Sequence, residues 1–112
     1  MAYKVKSRLW LESDEEMLLG MGRLRLLKAL QVCGSISGAA KELGMSYRKA
    51  WHLIDSSNSH SKQPLVEKST GGKNGGGAKL TPYGEKLLSN FEHLAAKCET
   101  FLEEEMDKMD WS

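Results

Sequence analysis

The chain has 112 residues, 40% of them hydrophobic and 28% charged, enough for one domain with its own core and too few for two. No apolar run exceeds four residues, so no segment can cross a bilayer as a helix, and Met1-Ala2-Tyr3-Lys4-Val5-Lys6 lacks the apolar stretch of a secretory signal. The formal net charge is only +1, which taken whole gives no sign of a polyanionic partner.

In chain order, residues 3–12 alternate, with Val5, Ser7, Leu9 and Leu11 on one face and Lys4, Lys6, Arg8, Trp10 and Glu12 on the other. A period of two predicts a half-buried strand. Ser13-Asp14-Glu15-Glu16 is a polar turn and Met17-Leu18-Leu19 a returning strand, so residues 1–22 are expected to form a β-hairpin ended by Gly20 and Gly22. From Arg23 the period becomes helical. Leu24, Leu27, Leu30 and Gln31 share a stripe flanked by Leu26 and Cys33, and Gly34 is a natural stop.

A second helix follows, with Ile36, Ala39, Ala40 and Leu43 at i, i+3, i+4 and i+7, Ser37 as its cap and Gly44 as its end. After Met45, Ser46 caps a third helix from Tyr47 to about Asn58. Its inward stripe is Ala50, Leu53 and Ile54, with Tyr47 and Trp51 beside it. Two short helices joined by a glycine-containing turn form a helix-turn-helix, here over residues 37–58. Ala39 and Ala40 permit the close helix approach that bulky side chains prevent.

Pro64-Leu65-Val66-Glu67-Lys68 and Ala78-Lys79-Leu80 read as two strands around a basic, glycine-rich connection with five glycines between Gly71 and Gly77. Such a run favours no regular element. A hairpin of this kind directly after a helix-turn-helix is a wing, residues 64–80. A nucleotide-binding loop is the competing reading of the glycines, but no Gly-Lys-Ser/Thr follows and the run leads into a strand. Thr81 then caps a last helix with Pro82 at its first position, reaching about Lys108. Leu88, Phe91, Ala95, Cys98, Leu102, Met106 and Met109 recur along it at spacings of three and four.

The architecture expected is therefore mainly α with a small β component: a winged helix-turn-helix over residues 23–80 between an N-terminal β-hairpin and a long C-terminal helix, residues 81–112. Charge follows the same divisions. Residues 23–80 hold ten basic and three acidic side chains, a net +7, while residues 81–112 hold three basic and eight acidic, a net −5. The near-neutral total is a cancellation between two blocks.

In a winged helix-turn-helix the third helix enters the major groove and its first turns meet base edges. The outward positions there are Ser46, Arg48, Lys49 and His52, with Tyr47 at the edge. Arg48 suits a bidentate contact to guanine and Lys49 a phosphate; the plainer alternative is a solvated helix face. Ser37, Lys62, Gly72, Lys73, Asn74 and Gly75 are the expected wing and backbone contacts to DNA. The acidic last helix, repelled by DNA, is the expected dimer interface through Leu88, Phe91, Ala95, Cys98, Leu102, Met106 and Met109; folding back across its own domain is the alternative. Two-fold symmetry would set the recognition helices about one DNA turn apart, roughly 34 Å, or a multiple of it.

Gly34-Ser35-Ile36-Ser37, Ala40-Lys41, Gly44, Ser46-Tyr47, Ala50-Trp51 and Ile54 resemble the DNA-binding domain of the ModE family of molybdate-responsive transcriptional regulators. So do Leu65-Val66-Glu67, Thr70-Gly71-Gly72-Lys73, Gly75-Gly76-Gly77-Ala78, Leu80-Thr81 and Tyr83-Gly84. The resemblance covers about residues 23–90. It implies a LysR-like winged helix, dimeric binding of double-stranded DNA, and Ser46, Tyr47, Arg48 and Lys49 at the start of the recognition helix. Full-length members continue into a region with oxyanion-binding repeats, which nothing up to Ser112 supplies; the resemblance implies a link to molybdate-responsive genes, while molybdate binding by these residues themselves is doubtful.

Cys33 and Cys98 lack a CxxC neighbour, and His52, His60 and His93 lack metal-ligand spacing. No cofactor, metal or membrane partner is expected, and the composition suits a reduced, cytoplasmic protein. An enzyme is the class least supported, since no nucleophile–base pair or carboxylate dyad is evident. Two other classes remain: a protein-interaction module using the winged helix and the long helix, and an oxyanion sensor acting through the glycine-rich loop.

Overall fold

A computed structural model describes residues 2–69 and 77–112. Two strands, β1 (Trp10–Ser13) and β2 (Glu16–Gly20), precede three helices, α1 (Met21–Cys33), α2 (Ile36–Glu42) and α3 (Tyr47–His60). Two further strands, β3 (Val66–Lys68) and β4 (Ala78–Leu80), lead into a 26-residue helix, α4 (Pro82–Asp107). Winged helix-turn-helix order is therefore present, with the hairpin in front and the long helix behind.

β1 and β2 pair antiparallel, Leu11 opposite Leu19 and Ser13 opposite Glu16, with an irregularity after Leu11. Asp14 and Glu15 both take positive φ, 51° and 67°, the left-handed pair that matches strand twist in a two-residue hairpin turn. The strand predicted over residues 3–12 forms only from Trp10. β2 offers five residues and ends where α1 begins, so residues 3–9 have no backbone to pair with. The alternation does mark the inner side correctly from just before the hairpin, since Leu9 and Leu11 pack against the core and Trp10 is exposed.

α1 starts two residues before the expected Arg23 and takes Gly22 into its first turn. Leu24, Leu26, Leu27 and Leu30 are buried. Gln31, expected on that stripe, is exposed. Gly34 ends the helix at φ +73°, its N–H on the Leu30 carbonyl at 2.8 Å, the left-handed stop that a side chain resists.

The cap of α2 is also corrected. Ser35, not Ser37, accepts the Gly38 N–H at 3.0 Å, because the helix begins as soon as the chain leaves Gly34. Ser37 instead lies exposed within the first turn. Ile36, Ala39 and Ala40 are buried, the two alanines to 2% exposure or less, so α2 sits close against its neighbours. Ser46 caps α3 through the Lys49 N–H at 3.1 Å, and Thr81 caps α4 through the Gly84 N–H at 2.9 Å, with Pro82 in the first turn.

Leu19, Leu26, Leu30, Ile54 and Leu65 form the centre of a single core. α4 adds Leu88 and Phe91 to it, with Tyr83 and Leu87 packed partly buried against it, all in its N-terminal part. At 1.5 Å per residue the helix is about 39 Å long, and beyond Phe91 none of its residues is fully buried. Along that distal half runs the N-terminal segment. Tyr3, Val5, Leu9 and Met21 face Leu102 and Met106 across an open groove of about 570 Å³. Tyr3 meets Trp111 edge to face at 6.0 Å.

Candidate nucleic-acid interface

α3 divides cleanly into two sides. Ala50, Ile54 and Ser57 are buried, while Tyr47, Arg48, Lys49 and His52 are exposed. Arg48, His52, Asp55 and Ser59 follow one another at helical spacing on the outer side. Burial of the small Ala50 lets the helix lie flat on the core while its long cationic side chains project away. Tyr47, placed beside the apolar stripe by spacing alone, is 55% exposed.

The turn before α3 presents its start. Gly44 takes φ +66°, its N–H reaches the Lys41 carbonyl at 3.2 Å, and the Met45 N–H reaches that of Ala40 at 3.0 Å. Met45 anchors this turn on the core. Ser37 is exposed in the first turn of α2, and Lys62 is exposed just past the C-terminal end of α3. Gly72, Lys73, Asn74 and Gly75 lie outside the described residues.

The base of the wing is described and is firmly tied down. β3 and β4 pair antiparallel with Val66 opposite Leu80, and the Ser69 N–H donates to the Gly77 carbonyl at 2.8 Å. The Ala78 N–H donates to the Gly34 carbonyl at 3.0 Å, and the Thr81 N–H to that of Leu65 at 2.9 Å. A Cβ at Gly84 would run into the Leu65 carbonyl oxygen, so glycine there lets α4 start directly against the strand. The Lys68 ammonium stands 4.3 Å from the centroid of the Trp51 ring, a cation–π contact from β3 to α3.

Two polar joints on the inner side of α3 escape a reading based on apolar spacing. Ser57, 2% exposed, donates to the Leu18 carbonyl at 2.9 Å and accepts from the Arg23 guanidinium at 3.0 Å, which also donates to the Met17 carbonyl at 2.7 Å. Burial holds the Arg23 pKa below its ordinary value, partly offset by the charge of Glu16. This joint fastens the hairpin to α1 and α3. The second joint is the Asn58 side chain, which bonds the main chain of Leu65 and Val66. The available signal was their position: both residues follow Ile54 by a helical turn, and polar groups there need partners.

Leu88 and Phe91 belong to the chain's own core, at 3% and 2% exposure, which corrects their assignment to an intersubunit face. Ala95, Cys98, Leu102 and Met106 are half-covered along the groove, and Met109 is 55% exposed. Cys33 and Cys98 are free thiols. Among the described residues, no three His, Cys, Asp or Glu side chains gather as a metal site, and no helix is long and apolar enough to cross a membrane.

Residues 21–85 match the bacterial regulatory helix-turn-helix proteins of the lysR family, a span running from the start of α1 to the first turn of α4. The chain belongs to that family. The transcriptional regulator ModE of Haemophilus influenzae is 44% identical over 86 residues, 77% of this chain and 34% of the relative. The DNA-binding transcriptional dual regulator ModE of Escherichia coli is 44% identical over 87 residues, 78% of this chain and 33% of the relative. The molybdenum transport protein ModE of Azotobacter vinelandii is 34% identical over 109 residues, 97% of this chain and 40% of the relative. The ModE resemblance read from the helix-turn-helix and wing motifs is thus matched by alignments over 77–97% of this chain. The chain spans only 33–40% of the length of these relatives.

Proposed function

We propose that this chain is a homodimeric, cytoplasmic regulator that binds double-stranded DNA in a sequence-specific way through α3 and the wing. The observation that carries the reading is the exposed row Tyr47, Arg48, Lys49 and His52 on a helix whose other side is locked into the core. Arg48 reads a guanine edge with its planar fork. Lys49 and the Ser46 hydroxyl hold phosphates beside it, and Ser37 and Lys62 add backbone contacts on the flank. In the wing, Lys73 and Asn74 supply side chains, and Gly72 and Gly75 admit close approach of the DNA backbone.

Dimerisation falls to Ala95, Cys98, Leu102 and Met106 on the distal half of α4 and Met109 just past its end, where an apolar stripe continues past the core. A link to molybdate-responsive genes rests on the relatives' names, and no residue of this chain is assigned to molybdate.

Salt titration tests the central claim. For a dimer with about 6–10 phosphate contacts, affinity for duplex DNA should fall on the order of 10³–10⁵ between 50 and 200 mM salt. A flat response overturns the reading. Arg48→Ala should cost roughly 1–3 kcal/mol and relax preference at one base position, whereas Lys73→Ala should weaken all sequences alike.

A further inference from the structure

The recognition helix and the wing are separated along the chain, yet both must meet one duplex. Asn58 joins them. Its Oδ1 accepts the Leu65 N–H at 2.8 Å and the Val66 N–H at 3.1 Å, and its Nδ2 donates to the Val66 carbonyl at 3.0 Å. Three of the four hydrogen bonds open to an amide side chain are thus spent on Leu65 and on Val66, the first residue of β3. The amide does for the outer edge of this strand what a third strand would do.

The same few residues are held from the other side. Thr81 donates its hydroxyl to the Pro64 carbonyl at 2.7 Å and its N–H to that of Leu65 at 2.9 Å, and Leu65 is fully buried. Seven residues before Asn58, and so on the same face of α3, Trp51 lies under the Lys68 ammonium. β3 therefore leaves α3 at Asn58 and is beside Trp51 two residues after Val66. It runs back along the helix toward the turn that carries Tyr47, Arg48 and Lys49.

We propose that Asn58 is a positioning residue for DNA binding. Without touching DNA, its amide fixes where the wing departs from the recognition helix, so that both elements engage one duplex in a single placement. The inference rests on the DNA-binding reading above. A hydrophobic side chain at this position would fill the space but leave two N–H groups and a carbonyl at the root of the wing without partners.

The test uses the whole chain and the duplex of about 30 base pairs, roughly three helical turns, that it enriches from a library with a randomised centre. Asn58→Ala should keep the helical circular dichroism and the base preference set by Arg48. It should bind about ten- to a hundredfold more weakly, and its log affinity should fall less steeply with log salt, by about one or two phosphate contacts. Lys73→Ala should weaken the parent chain but add little in the Asn58→Ala background, because a displaced wing no longer brings that lysine to the backbone. Should Asn58→Ala unfold the chain, Asn58→Asp replaces it: size and acceptor are kept, and a carboxylate oxygen now opposes the Val66 carbonyl.

An unchanged salt slope, or an equal loss from Lys73→Ala in both backgrounds, overturns the positioning role and leaves Asn58 as a stabilising contact. A parent chain that shows no salt-dependent duplex binding overturns the DNA-binding reading itself, and this inference with it.

Discussion

The two halves of α4 carry the same apolar spacing and end in different surroundings. In the first half Gly84, Leu88 and Phe91 are buried, Thr81 ties the helix start to the wing, and Lys28 of α1 pairs with Glu92 at 2.6 Å. In the second half Leu94 and Phe101 are each more than half exposed, and the inward stripe faces the N-terminal segment and Met21 across a groove. A spacing of three and four defines which side of a helix is apolar. What that side packs against depends on where the rest of the chain runs out of surface to offer.

Substitutions in the two halves should therefore separate. Phe91→Ala, at the boundary, should cost about 3–5 kcal/mol in urea or thermal unfolding, as removal of a fully buried ring does. A loss below about 1 kcal/mol would place the first half of α4 outside the core. Thr81→Ala should cost about 0.5–2 kcal/mol as a lost cap, at the upper end because the same hydroxyl also bonds the Pro64 carbonyl.

Leu102→Glu should change the unfolding free energy of the monomer by no more than about 1 kcal/mol while shifting the chain from dimer to monomer in sedimentation. A large loss of monomer stability would show instead that the distal stripe is packed on its own N-terminal segment. The smallest effect belongs to Lys28→Ala, about 0.2–1 kcal/mol and weaker still at high salt, since both partners are solvent-exposed.

Where local chemistry decides an element, the sequence was a sufficient guide. Ser46, Thr81-Pro82 and Gly34 mark helix ends because cap oxygens, a ring-locked φ and a left-handed stop act within a few residues. The exposed row on α3 follows from the same period. Features that depend on distant chain were not legible. Which serine caps α2 depended on how the chain left Gly34, and Ser37 and Ser35 offer the same oxygen. Residues 3–9 have a strand pattern but no partner strand. Leu88 and Phe91 could not be told from Leu102 and Met106 by spacing, since only the reach of the core separates them. Ser57 and Asn58 lie outside the apolar spacing of α3, and their hydrogen bonds go to Leu18, thirty-nine residues away, and to Leu65 and Val66 past the end of the helix. The tip residues Gly72, Lys73, Asn74 and Gly75 lie outside the described structure, so the wing is defined at its root.

The contact of Tyr3 with Trp111 brings the two ends of the chain together at the far tip of α4. Whatever is joined to either end is carried there, about 39 Å along the helix from the Thr81 cap.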